Sequence, residues 1–245
     1  MTILHISDTH GKHGQLRNLP LADVLVHSGD FTMAGTEEEA IEFLDWFIGQ
    51  PHQHKILVAG NHDDCLRGET IEGLPDNCHY LDCSGVTIHG VRFYGIPLFM
   101  EDVMEGYMES KYEDIPSEID ILITHQPPLG VMDGDGSYGY GSSELLARVL
   151  DVCPRVHLFG HIHNATGIHA GKYTAFSNGS VVNEHYEVCK CGNRLVFLYK
   201  TPILIMPSVF YIKIYLYKPI ILLNSIREEL CIRINKNILI IERLI

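Results

Sequence analysis

Seven side chains of metal-ligand type follow short apolar runs or glycines, in five segments between residues 7 and 163. The segments read SDTH, GDFT, GNHD, THQPP and GHIH. The side chains are carboxylates, imidazoles and one amide, namely Asp8, His10, Asp30, Asn61, His125, His161 and His163. Oxygen and nitrogen ligands suit hard or borderline metal ions, and cysteine, the soft ligand, is absent from all five segments. The set therefore predicts a site for two adjacent metal ions.

Two adjacent metal ions would suit the hydrolysis of a phosphoester. Ions about 3.5–4 Å apart clamp the oxygens of an in-line displacement at phosphorus and convert a bridging water into hydroxide near neutral pH. Asp30 follows Gly29, which lets the backbone come close to the site, so its carboxylate can bridge the ions. Asn61 also follows a glycine and offers a neutral carbonyl oxygen. The pattern predicts a dinuclear hydrolase that acts through metal-bound hydroxide.

Buried strands are expected to position these side chains. Each segment follows a short run rich in Ile, Leu and Val, which is typical of strands in a parallel or mixed sheet. The runs are residues 3–6, 24–27, 55–59, 119–123 and 156–159. In open α/β sheets the ligand crevice lies outside the carboxyl ends of the strands. All seven ligands are therefore expected at one edge.

Helices and further strands complete an α/β pattern. Thr36 and Glu39 form a capping box for a helix that runs to about Ile48, and Ser142 or Ser143 caps a second helix over residues 144–150. Residues 85–96 and 173–182 predict further, antiparallel strands with glycine-marked turns. The sum predicts an α/β domain with strands in two sheets and helices outside.

The composition changes sharply near Tyr199. Residues 1–199 contain all 22 glycines and all 15 histidines and carry a net charge of −17. Residues 200–245 carry a net charge of +4 and lack Gly, Ala, Asp and His. We therefore expect one domain over 1–199 and an atypical Ile/Lys-rich C-terminal extension over 200–245 that is not a domain. Its longest charge-free run, residues 201–212, is shorter than the roughly 20 residues of a spanning helix, so no membrane association is expected.

Charge and cysteine usage restrict the partners and the compartment. A net charge of −13 disfavours a nucleic-acid polymer as partner, because phosphate backbones bind Lys/Arg patches. Seven scattered cysteines do not form a disulfide framework, and the N-terminus has no signal-peptide pattern. We therefore expect a cytoplasmic protein.

The five blocks in this order resemble the calcineurin-like metallophosphoesterase superfamily, whose pattern is D-x-H, G-D, G-N-H-D/E, H and G-H-x-H. The segments SDTHGKH, SGDFT, THQPPLG and GHIH are most similar to the metallophosphoesterase-domain (UPF0046-type) branch of this superfamily. The resemblance covers about residues 1–199. It implies a four-layer αββα sandwich of two mixed β-sheets flanked by helices. It also implies two divalent metal ions, such as Mn²⁺, Fe²⁺/Fe³⁺ or Zn²⁺.

The resemblance implies a role for each ligand. The first ion would be held by Asp8, His10, Asp30 and His163. The second would be held by Asp30, Asn61, His125 and His161. His62 would stabilise charge or protonate the leaving oxygen, and Asp63 would orient it.

Substrate contacts are expected from His13, beside the first block, and from Tyr138 and Tyr140 in the glycine-rich loop 133–141. A loop beside an active-site rim is typical of a lid or a substrate-shaping element. The expected substrate is a small phosphoester, of which a nucleotide is one candidate, with a phosphodiester favoured over a phosphomonoester. Two alternatives stay open at this point. A nuclease is disfavoured by the missing basic groove, and a non-catalytic scaffold of the same fold is disfavoured by the complete ligand set.

Overall fold

The computed structural model describes residues 1–134, 138–189, 192–197, 230–235 and 238–243. Within these residues the chain forms thirteen strands and four α-helices. The strands are β1 (Thr2–Ile6), β2 (Val24–Ser28), β3 (His54–Val58), β4 (Cys78–Tyr80), β5 (Ser84–Ile88), β6 (Val91–Ile96), β7 (Ile121–Thr124), β8 (Val156–Phe159), β9 (Gly167–Ala170), β10 (Ala175–Asn178), β11 (Asn193–Phe197), β12 (Leu230–Asn235) and β13 (Ile238–Arg243). The α-helices are α1 (Glu37–Ile48), α2 (Met100–Glu105), α3 (Met108–Glu113) and α4 (Ser143–Val152).

The strands form two mixed sheets. The first has the order β12-β13-β11-β1-β2-β3-β4, with β1 to β4 parallel and β11 antiparallel to β1. The second has the order β5-β6-β7-β8-β10-β9, with β6, β7, β8 and β10 parallel and the two edge strands antiparallel to their neighbours. The expected antiparallel hairpin over residues 85–96 is confirmed. The expectation for residues 173–182 is wrong in part, because β10 pairs parallel with β8 and antiparallel only with β9.

Alternating side chains give each sheet two apolar faces. Val24 and Val26 of β2 lie in a cluster between the sheets, whereas Leu25 lies in a second cluster beneath α1. In β7, Ile121 joins the inner cluster and Leu122 joins a third cluster beneath α3 and α4. Successive side chains of a strand point to opposite faces, so a strand buried on both sides must be apolar at every position. The expected four-layer αββα sandwich is thereby confirmed.

The caps of α1 and α4 follow from the sequence, with one difference. The Thr36 side chain accepts a hydrogen bond from Glu39 N at 3.3 Å, and the Ser142 side chain caps α4 by accepting from Leu145 N at 3.0 Å. Glu39 does not complete the reciprocal half of a capping box. Its carboxylate accepts hydrogen bonds from the N–H groups of Met33 and Ala34, at 3.3 and 2.8 Å. The helix start is therefore tied to the loop that follows β2.

The C-terminal extension is described only in part. Residues 200–229 lie outside the described residues. Strands β12 and β13 pair antiparallel with each other, and β13 pairs parallel with β11 at the edge of the first sheet. That residues 200–245 are not a domain stays a prediction. In the described part of the chain, no helix combines the length and apolarity needed to cross a bilayer.

Three strand histidines are buried in neutral form. Burial lowers the pKa values of His5, His27 and His157 to about 3. Thr124 Oγ donates a hydrogen bond to Gln126 O, so it accepts its 2.9 Å bond from Nε2–H of His157. The Nδ1 of His157 is buried without a partner in the described structure, so a proton there would be an uncompensated buried charge.

We expect His157 to make the fold sensitive to acid. Its pKa in the folded state lies below its unfolded value of 6.5, so the unfolded chain binds the proton first as the pH falls. The stability associated with neutral His157 is complete above pH 6.5 and is lost below it. Between pH 7 and pH 5 the loss is about 2 kcal/mol. Urea unfolding of the wild type and of His157→Gln at both pH values checks this. An equal pH dependence in the two proteins would contradict it.

Candidate metal centre

The predicted ligands lie directly beyond the carboxyl ends of five parallel strands. The segments with Asp8, Asp30 and Asn61 follow the adjacent strands β1, β2 and β3, and those with His125 and His161 follow the adjacent strands β7 and β8. The expectation that all seven ligands lie at one edge therefore needs a correction. Three segments come from one sheet and two from the other, because the sandwich sets the carboxyl ends of both sheets side by side.

Four of the ligand residues adopt a left-handed backbone conformation. The φ angles are 56° at Asp8, 43° at His10, 58° at Asp30 and 70° at His161. Asp, Asn and His tolerate this region better than other residues with a side chain, yet each instance costs free energy and is typical of functional sites. The chain thus turns sharply at the ends of β1, β2 and β8.

The first group of ligands consists of Asp8, His10 and His163. One ligand atom from each lies within 4.8 Å of the others. The Nε2 atoms of His10 and His163 are 3.2 Å apart, and His163 Nε2 lies 3.5 Å from Asp8 Oδ1. Asp8 is completely buried, and its carboxylate accepts hydrogen bonds from His161 N.

The second group consists of Asp30, His125 and His161, whose ligand atoms also lie within 4.8 Å of one another. Asn61 joins this group, because its Oδ1 lies 3.2 Å from His125 Nε2. All seven predicted ligands are thus brought together in two adjoining groups.

The carboxylate of Asp30 connects the two groups. Its Oδ2 lies 3.7 Å from His10 Nε2 and 3.2 Å from His125 Nε2. Its Oδ1 accepts a hydrogen bond of 2.8 Å from His62 N. One oxygen is therefore held by the backbone, and the other faces ligands of both groups, as a bridging carboxylate requires.

The charges at Asp30 and His125 depend on each other. Burial would raise the pKa of Asp30, but the adjacent His125 ring holds it well below its usual range. Burial would lower the pKa of His125, but the Asp30 carboxylate raises it to about 9. A cation is thus strongly favoured beside Asp30, and a metal ion can take the place of the proton.

Backbone carbonyls set the orientation of two ligand rings. His125 donates its Nδ1–H to Ser28 O at 2.8 Å, and His163 donates its Nδ1–H to Asn183 O at 3.2 Å. In each ring Nε2 then faces the ligand group, where a metal ion can take the place of a proton, which is the arrangement of a metal-binding histidine. The donor set and its tautomers therefore fit divalent metal ions.

Glycines let the loops approach the carboxylates. A Cβ at Gly60 would clash with Asp30 Oδ1, and a Cβ at Gly29 would lie 2.5 Å from His125 Nδ1. A Cβ at Gly160 would clash with Asp8 Oδ2. These three glycines belong to the sequence blocks because any side chain there would displace a ligand.

Asp63 has a different position from the one expected. Its buried carboxylate does not reach the His62 ring, whose Nδ1–H is donated to Met33 O at 2.9 Å. Asp63 instead accepts hydrogen bonds from the N–H groups of Asp30, Thr32 and Gly60, at 2.8, 2.9 and 2.8 Å. Its carboxylate therefore fixes the loops after β2 and β3, and the expectation that it orients the His62 ring directly is wrong.

The three expected substrate contacts lie in two different surroundings. His13 is only 4% exposed, and its ring packs on Phe43 and Trp46 of α1, which is a correction to its expected role. Tyr138 and Tyr140 are 72% and 55% exposed on the loop after His125. Their part in substrate binding stays a prediction, and residues 135–137 of that loop lie outside the described residues.

Two residues of the site were not singled out in the sequence. The ring of Tyr186 packs on His10 and His163, and Asn183 supplies the carbonyl that holds His163. Both follow the last sequence block by about twenty residues, and no local pattern marks them. Only the pairing of distant segments brings them to the centre.

The chain is similar in sequence and fold to known proteins, and the family it matches agrees with a metal centre at this site. Residues 1–165 match the model of the calcineurin-like phosphoesterases, and the chain belongs to this family. Within it, a UPF0046 protein of Caenorhabditis elegans is 36% identical over 77% of this chain and 72% of that protein. The metallophosphoesterase domain-containing protein 1 of Homo sapiens is 35% identical over 74% of this chain, which spans 66% of that relative. One solved structure shares the fold, with a TM-score of 0.54 at 16% identity over 73% of this chain and 90% of the other.

We expect Gly60→Ala to weaken metal binding, because the new Cβ would displace the Asp30 carboxylate. Mn²⁺ affinity measured by calorimetry should fall by about tenfold or more, as when the support of a ligand is removed. Gly14→Ala is the matched control, since Gly14 also has an ordinary φ and a Cβ there meets nothing within 4 Å. Equal affinities for the two variants would contradict the role of Gly60.

Proposed function

We propose that the protein is a dinuclear metal-dependent phosphoester hydrolase. The observation that carries this proposal is the position of Asp30 Oδ2 between His10 Nε2 and His125 Nε2, at 3.7 and 3.2 Å. A carboxylate oxygen shared by two groups of nitrogen and oxygen ligands suits two neighbouring ions better than one. Membership of the calcineurin-like phosphoesterase family supports the same reaction class.

Seven residues would hold the two ions. The first set is Asp8, His10, Asp30 and His163, and the second is Asp30, Asn61, His125 and His161. Bound divalent ions polarise phosphoryl oxygens and lower the pKa of water in displacement reactions of this class. The protein contributes the spacing of the two sets and the hydrogen bonds that keep each ligand in place.

His62 is proposed as the proton donor to the leaving oxygen. Its ring lies 4.7 Å from the ring of His10, at the edge of the first ligand set. Because Nδ1–H is donated to Met33 O, the proton for the leaving oxygen would come from Nε2–H of the doubly protonated ring. Glu39 holds the Met33 N–H, so the start of α1 helps to fix the orientation of His62.

The proposed substrate is a small phosphodiester, with a nucleotide as one candidate, in place of a nucleic-acid polymer. The net charge of −13 supports a small substrate, because a polymer would need a basic surface.

A cytoplasmic location is proposed from the cysteines, five of which are free thiols in the described residues. The alternative function is that of a non-catalytic scaffold, which needs no turnover.

The metal content and the turnover separate an enzyme from a scaffold. We expect two Mn²⁺ ions per chain by elemental analysis, and Mn²⁺-stimulated hydrolysis of bis-4-nitrophenyl phosphate faster than that of 4-nitrophenyl phosphate. The variant Asp30→Asn should lose the two bound Mn²⁺ ions and the hydrolysis of the esters, because the shared oxygen loses its charge. Two bound ions without turnover of either ester would favour the scaffold.

We expect His62→Asn to lower kcat by about 10²-fold or more, as is typical when a general acid is removed. The amide keeps an N–H donor for Met33 O but cannot supply a proton, so the Mn²⁺ content should not change. The loss should be larger for a diester with a poor leaving group than for one that releases 4-nitrophenol.

His169→Asn, at an exposed histidine of β9, is the control and should behave as the wild type. Equal losses in the His62 variant for both leaving groups would rule out proton donation.

A further inference from the structure

A compact turn over residues 183–187 lies against the first ligand set. Tyr186 N donates a hydrogen bond to Asn183 O at 2.9 Å, and Asn183 N donates to Glu187 O at 3.0 Å. The Asn183 Oδ1 accepts hydrogen bonds of 2.9 Å from the N–H groups of His185 and Glu187. The Asn183 side chain thus closes the turn from inside and fixes the place of Tyr186.

The turn contacts two ligands of one set. The Tyr186 ring lies 4.8 Å from the ring of His10 and 5.2 Å from that of His163, nearly perpendicular to both, at 81° and 83°. Edge-to-face contacts of this kind are favourable between aromatic rings. Asn183 O accepts the Nδ1–H of His163. The turn therefore holds His163 at two points and His10 at one.

His10 depends on this packing more than His125 and His163 do. Its Nδ1 is buried and has no hydrogen-bond partner among the described residues, whereas the Nδ1 atoms of His125 and His163 are bonded to backbone carbonyls. The orientation of the His10 ring is set by the rings that surround it, which are those of His62, His163 and Tyr186.

The second ligand set has no such support. Across the described part of the chain, the rings of His125 and His161 pack on each other and on no Phe, Tyr or Trp ring. The contact of Tyr186 is therefore specific to one of the two sets.

The backbone at Tyr186 is strained in order to place its ring. Its φ is 59°, in the left-handed region that residues with a bulky side chain rarely adopt. A glycine would take this conformation without strain. The tyrosine is thus unfavourable for the turn itself, and the benefit of its side chain lies in what the ring contacts.

We propose that Tyr186 is a positioning residue for the metal ion held by Asp8, His10 and His163. The ring keeps the Nε2 atoms of both histidines directed at this ion, and Asn183 fixes the turn that carries the ring. The inference rests on the dinuclear site of the proposed function. It adds that the two ions depend on different parts of the chain, so that one can be weakened without the other.

The test measures metal binding by the full-length chain. We expect wild type to retain two Mn²⁺ ions per chain and Tyr186→Gly to retain one, with the other bound about 10–100-fold more weakly, as for lost supports of metal ligands. Tyr186→Phe should retain both, because the ring remains. In a His161→Ala background, which disables the second set, Tyr186→Gly should remove the remaining ion.

A matched control removes backbone strain without touching the site. Cys153 also has a positive φ of 51°, at the end of α4, so Cys153→Gly should retain two ions. The glycine variants are expected to fold, and thermal unfolding of the metal-free proteins checks this.

Two bound ions of unchanged affinity in Tyr186→Gly would overturn the inference, as would a loss in Tyr186→Phe equal to that in Tyr186→Gly. If the wild type itself bound fewer than two ions, the proposed dinuclear function would fail instead. The two failures are thus separated without a measurement of activity.

Discussion

The three buried carboxylates of the site each accept hydrogen bonds from the backbone of a loop that follows another strand. Asp8 binds His161 N, Asp30 binds His62 N, and Asp63 binds the N–H groups of Asp30 and Gly60. A carboxylate cannot be buried at acceptable cost without such partners or a cation. This requirement fixes the loops relative to each other, and the positions of the histidines follow from it.

The sandwich makes this set of hydrogen bonds possible. Strands β1 to β3 run parallel to one another in one sheet, and β7 and β8 do so in the other, so within each sheet the carboxyl ends lie at a common edge. The apolar cluster between the sheets holds these ends side by side. The close approach of the loops then requires glycine at positions 29, 60 and 160, where a Cβ would meet a ligand.

The surroundings of each buried histidine decide whether its ring is neutral or positively charged. His5, His27 and His157 lie inside strands, where burial lowers the pKa to about 3 and keeps the rings neutral. His125 is equally buried, but the Asp30 carboxylate raises its pKa to about 9. The same residue type therefore serves the core in one place and favours a positive charge in the other, according to its neighbours.

The sequence by itself determined the five strands that precede the ligand segments, the hairpin over residues 85–96, the first and last helices, and the seven side chains brought together in the two ligand groups. These features depend on local period and residue type, which are readable along the chain. Tertiary structure decided that two sheet edges share the site, that Asp63 binds backbone N–H groups, and that His13 packs on Trp46. It also decided the contact of Tyr186 with His10. The physical reason is that each of these contacts joins residues far apart in the chain or depends on the direction of a side chain, which no local pattern specifies.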